Sequence, residues 1–465
     1  MTSKLHMNIQ VNLACGQPPE NLLPFQLVSS AAIKLLSGQY EMSQYDDSSS
    51  PLNYGDCNTF FSKRVASLLH DECGRDSIDY NLIVPTAGVS NALDMICTML
   101  CKGLNKQGIV FVEEATYFLS MGVFEDHGLI IQPVATDDEG IVIDDFRRLL
   151  EALGTEGAAS LQPLFLYTIP TFHNPTGRTM SLSRRRQLLE LTREYGVFVV
   201  ADEVYQMLGF TSSLTSRKDS LSSTNPNALY PALVSLTPPS SCPLDLYEHV
   251  ISVSSFSKIL APGLRVGWVE FSCPALAERF RALGVLRSGS SISHFASCVA
   301  VCCLSDPTDP DSTHPQCPLR SHMQYLRDTL ARKYEALTDA LVEYSRRLLG
   351  GYGIEDAITI TGYGTNEPVG GYFIWVKLPA WLREKYTATD LLSLAREDPY
   401  SVAFTPGDSC MPVNSNEYIP LSTIRASESV PREQFVRLCF ARLSVEELQD
   451  GAQRLCQLLA DIKSV

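Results

Sequence analysis

The sequence predicts an α/β protein built on a mostly parallel sheet, and two observations carry that expectation. Short apolar runs (108–112, 164–169, 197–201 and 250–253) alternate with stretches of helical period. Three of the runs lead within a few residues to a lone polar group: Asn174, Asp202 and Lys258. Ligands of open α/β sheets bind at the C-terminal edge of the strands, so residues stranded there are candidates for a site.

Composition bounds the alternatives. At 465 residues, 45% apolar and 19% charged, the chain is long enough for two domains and reads as globular. A net charge of -15 argues against nucleic acid or an anionic membrane as the main partner. Fourteen cysteines include no C-x-x-C pair, and Cys97/Cys101 and Cys298/Cys302 recur at helical spacing, as packed small residues would. Residues 1–6 form no apolar leader and no stretch reaches membrane-spanning length, so the expected setting is reducing and cytoplasmic, without disulfides. The eight histidines have no paired spacing, and no metal site is expected.

In chain order, residues 1–50 look irregular apart from a short strand at 11–14 that ends in a Gly/Pro turn at Gly16. Tyr54 precedes a glycine and a helical pattern running through Leu69. Residues 82–91 read as strand, turn and helix, with Val89, Leu93, Ile96 and Leu100 at helical spacing. The turn at Gly88, Val89 and Ser90 therefore opens a helix whose free N–H groups suit an anion. The strand at 108–114 leads to Tyr117. A helix over 144–153 precedes the next strand, which ends in Asn174-Pro175-Thr176-Gly177, a turn by composition, and a helix over 184–195. The run 197–201 then ends directly in Asp202, with Tyr205 three residues on. Buried aspartate is uncommon without a partner.

Residues 250–271 organise the rest. Two apolar runs flank Ser255, Ser257, Lys258, a Pro-Gly turn and Arg265. Burial of a lysine is costly and lowers its pKa, freeing the amine to form a Schiff base with a carbonyl. Hydroxyls and a guanidinium fork are the groups that hold a phosphate. An imine-forming lysine beside a phosphate cradle points to pyridoxal 5'-phosphate (PLP). Polar segments at 211–247 and 306–318 read as surface insertions. Helices are expected over 274–286, 321–349 and 444–459, and strands over 370–376 and 435–440. Arg437 lies within the last strand and needs an anionic partner, whereas Arg442 is expected in solvent.

These segments, in this order from Gly16 to Arg437, resemble class I/II aminotransferases of PLP fold type I, and are similar to the aromatic and 2-aminoadipate types. The Asn174, Asp202 and Lys258 segments are the most specific. The resemblance implies a mostly parallel seven-stranded sheet in a large domain (51–290), a smaller α+β domain (291–465) joined by residues 1–50, and a homodimer. It implies that Tyr117 stacks on the cofactor ring and that Asn174 and Tyr205 donate to its phenolate. Asp202 pairs with the pyridinium nitrogen, keeping the ring an electron sink. The Gly88–Ser90 turn, Ser255, Ser257 and Arg265 hold the phosphate, with Tyr54 reaching across from the neighbouring subunit. Val89 replaces a family hydroxyl, which leaves Ser90 as the side-chain donor there. Gly16, Asn174 and Arg437 address the substrate, with Arg437 gripping the α-carboxylate. The implied reaction moves an amino group from an amino acid to a 2-oxo acid, Lys258 serving as base and acid. The same residues could instead serve elimination, as in carbon–sulfur lyases or cyclopropane-carboxylate synthases. A PLP-binding regulator is a further alternative, disfavoured by the acidic balance.

Overall fold

The computed structural model describes residues 11–39, 50–55, 58–76, 78–153, 161–210, 231–236, 249–289, 291–304, 317–350, 357–365, 368–382, 385–412 and 435–464. The expected insertions fall almost wholly outside these residues.

Seven strands form the central sheet: β1 (Ile83–Thr86), β2 (Gln107–Glu113), β3 (Ile130–Val134), β4 (Leu161–Thr168), β5 (Phe198–Asp202), β6 (Val250–Ser255) and β7 (Gly267–Phe271). Their spatial order is β1-β7-β6-β5-β4-β2-β3. Strands β2 to β6 pair in parallel, while β7 runs antiparallel to both β6 and β1. The sheet is thus mixed, with one reversed strand. That reversal follows from the short Lys258 loop, which spans only residues 256–266 and returns the chain beside the strand it left. The C-terminal ends of six strands and the start of β7 consequently meet along one edge.

The parallel strands are continuous apolar runs because both their faces are covered. Val199, Val200, Ala201, Ile251 and Val253 are each fully buried. Helix α1 (Val89–Cys101) packs on the sheet face that carries Val110 and Val112, and α2 (Ile143–Leu153) and α3 (Leu182–Glu194) pack on the face that carries Ile109, Phe111 and Leu166. Ser181 caps α3 by accepting from the Arg184 amide at 3.2 Å.

A second, four-stranded sheet joins β8 (Thr359–Ile360), β9 (Phe373–Lys377), β10 (Thr405–Pro406) and β11 (Phe435–Cys439) in the order β8-β9-β11-β10. Helices α4 (Pro318–Leu349) and α5 (Val445–Ser464) pack against one another beside it. The strand Val11–Asn12 pairs with Val402–Ala403, tying the beginning of the chain to this region.

The structure departs from the sequence reading in several places, among them the last helix, which runs on to Ser464, and the strand expected over 370–376, which is Phe373–Lys377. Residues 1–50 are not uniformly irregular, because Phe25–Leu36 is a helix that buries Ala31 and Leu35. The helix expected over 274–286 breaks into Pro274–Arg281 and Gly284–Gly289, where Gly284 carries the entropic cost of glycine in a helix. Helix α4 begins at Pro318, not at residue 321, since proline's fixed φ suits the first helical position. No described helix is long and apolar enough to cross a membrane.

Candidate active site

A cavity of about 400 Å³ opens at the common strand edge, between the two sheets. Gly16, Val89, Ser90, Tyr117, Asn174 and Asp202 line it, as do Tyr205, Ser255, Ser257, Lys258, Arg265 and Arg437. The volume suits a cofactor-sized ligand.

Lys258 sits on the loop after β6, where its ammonium donates to the Gly16 carbonyl at 2.9 Å. Its nitrogen lies 5.1 Å from the Tyr372 ring centre and 5.9 Å from that of Tyr205. Burial lowers its pKa, and the Arg437 charge acts in the same direction.

Asp202 ends β5 in a dry environment. Tyr167, one strand away, donates its hydroxyl to the carboxylate at 2.8 Å, and the Val204 amide adds a second bond at 3.3 Å. Burial nevertheless raises the Asp202 pKa to about 7, against the lowering effect of those two bonds. A cation seated beside this carboxylate relieves that cost.

A concave set of donors lies at the other end. Arg265 adopts a left-handed backbone (φ 52°) and directs its guanidinium across the Gly88 turn. Nη2 donates to the Ala87 carbonyl at 3.3 Å and Nη1 reaches Pro262 O at 3.1 Å. Ser255 Oγ lies 2.8 Å from Ser257 Oγ. Gly88 has φ 89°, a conformation that requires glycine, and a Cβ added there falls 2.8 Å from Arg265 Nη2, so a larger residue would also push the guanidinium aside. With the N-terminus of α1 facing the same space, this end suits a phosphate group.

Arg437 is anchored in the plane of its guanidinium. Nη1 donates to Asn174 Oδ1, and Nη2 donates to Ala14 O and Thr405 Oγ1, each at 2.9 Å. Its Nε is buried without a hydrogen-bond partner, a donor that an incoming carboxylate can satisfy. With Asn174 Oδ1 occupied by Arg437, the amide nitrogen of Asn174 remains to donate elsewhere. Beneath it, Glu113 accepts from Thr168 Oγ1 at 2.6 Å and pairs with His173 Nε2 at 3.0 Å, while His173 Nδ1 meets Thr176 Oγ1 at 2.8 Å. That network fixes the turn carrying Asn174.

Tyr54 is not brought to the cavity within one copy, where it is 89% exposed. Arg442 is exposed as expected. Sequence reasoning missed Tyr167, Glu113, His173, Phe373 and Thr405. Tyr167 carried a readable signal, since a tyrosine inside a buried strand needs a partner for its hydroxyl.

A family model described as "Aminotransferase class I and II" matches residues 8–455. The chain belongs to that family. Its members are PLP-dependent, and the lysine, carboxylate and phosphate-suited donors of the cavity fit that cofactor. The aminotransferase is 24% identical to aromatic-amino-acid aminotransferase 1 of Thermococcus litoralis, over 97% of this chain and 88% of the relative. It is 31% identical to the aminotransferase swnA of Arthroderma benhamiae, over 57% of this chain, and spans about half (53%) of that relative's length. Its fold superimposes on the α-aminoadipate aminotransferase LysN of Thermus thermophilus with a TM-score of 0.68, at 23% identity over 98% of this chain and 93% of the other. The seven-stranded PLP fold and amino-group transfer expected from the sequence therefore stand, and the eliminating alternative gains no support.

Proposed function

We propose that this aminotransferase takes the amino group from amino acids with uncharged, largely apolar side chains. The observation that carries this reading is the charge inventory of the cavity. Among the described residues lining it, the cations are Lys258, Arg265 and Arg437. One suits the reacting amine, one the phosphate and one the α-carboxylate, which leaves none for a distal carboxylate. Phe118, Leu119 and Val123 give much of the remaining wall an apolar surface, beside the uncharged Gln17 and Ser120. The names of aromatic-amino-acid relatives point the same way.

In this reading PLP supplies an aldehyde for the amino group and an electron-withdrawing ring. Ser90, Ser255, Ser257, Arg265 and the N–H groups after Gly88 hold its phosphate, Tyr117 covers the ring, and Asn174 and Tyr205 donate to the phenolate. Asp202 pairs with the ring nitrogen. Gly16 lets the backbone approach the substrate, and Arg437 and Asn174 fix its carboxylate. Lys258, its pKa lowered by burial, would take the Cα proton and pass it to the cofactor carbon that carried the aldehyde, so that the amino group stays with the cofactor.

The proposal includes a homodimer, in which Tyr54 completes the partner's phosphate site. Leu52 (74% exposed), Tyr54, Ile292 and Phe295 support it as an exposed apolar patch, drawn together by the bond from Ser291 N to Gly55 O. A cytoplasmic setting is supported by the described cysteines, all of which are free.

A screen of amino donors against several 2-oxo acids tests the function. Phenylalanine, tyrosine and leucine should exceed aspartate and glutamate at least tenfold in kcat/KM, about 1.4 kcal/mol of selectivity. Lys258→Ala should abolish both turnover and the absorbance of the lysine-linked cofactor. Product in excess of one equivalent per active site without an oxo acid, or preference for acidic donors, would overturn the reading.

A further inference from the structure

We infer that Phe373 is a positioning residue that acts on the substrate carboxylate through Arg437. The inference rests on the reading above that Arg437 receives that carboxylate. Strands β9 and β11 are antiparallel, with Phe373 opposite Cys439 and Trp375 opposite Arg437. Phe373 and Arg437 are therefore diagonal neighbours on one face of the sheet, within reach of each other for long side chains. The guanidinium carbon of Arg437 lies 4.3 Å from the Phe373 ring centre, and Phe118 approaches it at 5.8 Å. Both Phe373 and Arg437 are buried, where a cation over an aromatic face is held more strongly than in water.

The division of labour is geometric. Asn174, Ala14 and Thr405 bond the guanidinium through its Nη atoms, in its own plane. Hydrogen bonds of that kind leave the faces of the group to be covered by other side chains, and the Phe373 ring provides that cover. The group is thereby held with its unpartnered Nε turned to a single orientation.

Elements from distant parts of the chain close on this residue. A Cβ at Gly16 would sit 2.6 Å from the ring atom Phe373 Cζ, and one at Gly177 would sit 2.8 Å from the Phe373 backbone carbonyl. Tyr205 meets the ring edge-on at 6.1 Å and 83°. Gly16 therefore makes room for this ring as well as for the substrate. Phe373 connects the N-terminal segment, the Asn174 turn and the Arg437 strand in one contact set.

The test is steady-state kinetics on the PLP-loaded enzyme and four variants: Phe373→Leu, Phe373→Tyr, Arg437→Lys and the Phe373→Leu/Arg437→Lys double. Leucine keeps apolar bulk and removes the π-face. Phe373→Leu should raise KM about tenfold for both amino donor and oxo acid, leave kcat within about twofold, and leave the cofactor spectrum unchanged. Phe373→Tyr should restore KM. In the Arg437→Lys background, the leucine substitution should add no further rise, because the two act as one unit. If Phe373→Leu does not fold, Phe373→Met carries the same comparison. A KM unchanged by Phe373→Leu, or raised by the same factor in the Arg437→Lys background, overturns the inference. A KM unchanged by Arg437→Lys overturns instead the assignment of Arg437 on which it rests.

Discussion

Replacing Asp202 with asparagine in the cofactor-free protein isolates what burying that carboxylate costs. In the folded chain the Asp202 pKa stands at about 7, against an ordinary value of 3.8. Between those values the folded state holds a proton that the unfolded chain has released. Stability therefore falls as pH rises through the window from about 4 to about 7. At 1.36 kcal/mol per pK unit, the full penalty is about 4 kcal/mol above about pH 7, and about 2 kcal/mol at about pH 5.5. Asparagine keeps the shape and still accepts from Tyr167, yet it carries no charge at any pH. Urea denaturation of the PLP-free proteins should show Asp202→Asn more stable than wild type by those amounts, the gap closing below about pH 4. Adding PLP should favour the wild type, because a protonated ring nitrogen gives the carboxylate its counter-charge. A stability gap independent of pH, or a wild-type protein that is the more stable without cofactor at about pH 8, would refute the reasoning.

Two further outcomes follow from neighbouring geometry. Tyr167→Phe removes a hydrogen bond to the Asp202 carboxylate, worth about 1.5–3 kcal/mol. The Asp202 pKa in the cofactor-free protein should climb by about 1–2 units, and PLP should bind about tenfold more weakly in a calorimetric titration at neutral pH; unchanged affinity contradicts the role. Gly88→Ala forces a side chain into φ 89°, ψ 175° and toward Arg265 Nη2, at about 1–3 kcal/mol for the backbone alone. Its PLP affinity should fall at least tenfold while circular dichroism stays native, and an affinity equal to wild type would remove Gly88 from the phosphate site.

The chain's own chemistry made much of this legible. Asp202 closes an apolar run and Lys258 lies between two others, and residues that expensive to bury stand out wherever an apolar stretch surrounds them. The helix over 144–153 and the α5 segment were readable from apolar spacing, because a buried face imposes its period on the sequence. Proximity across the chain was not readable. Tyr167 reaches Asp202 only because β4 lies beside β5, and Phe373 reaches Arg437 only through the register of β9 against β11. Glu113 and His173 are 60 positions apart and look like ordinary polar residues until the fold closes them beneath Asn174. Tyr54 shows the same division from the other side, as the sequence places it before a glycine while the fold holds its ring in solvent, away from its own cavity. Local sequence sets which groups are costly to bury and which period a segment follows, since both depend on near neighbours. Which distant group offsets each cost is decided by sheet order and strand register, and those exist only once the chain has folded.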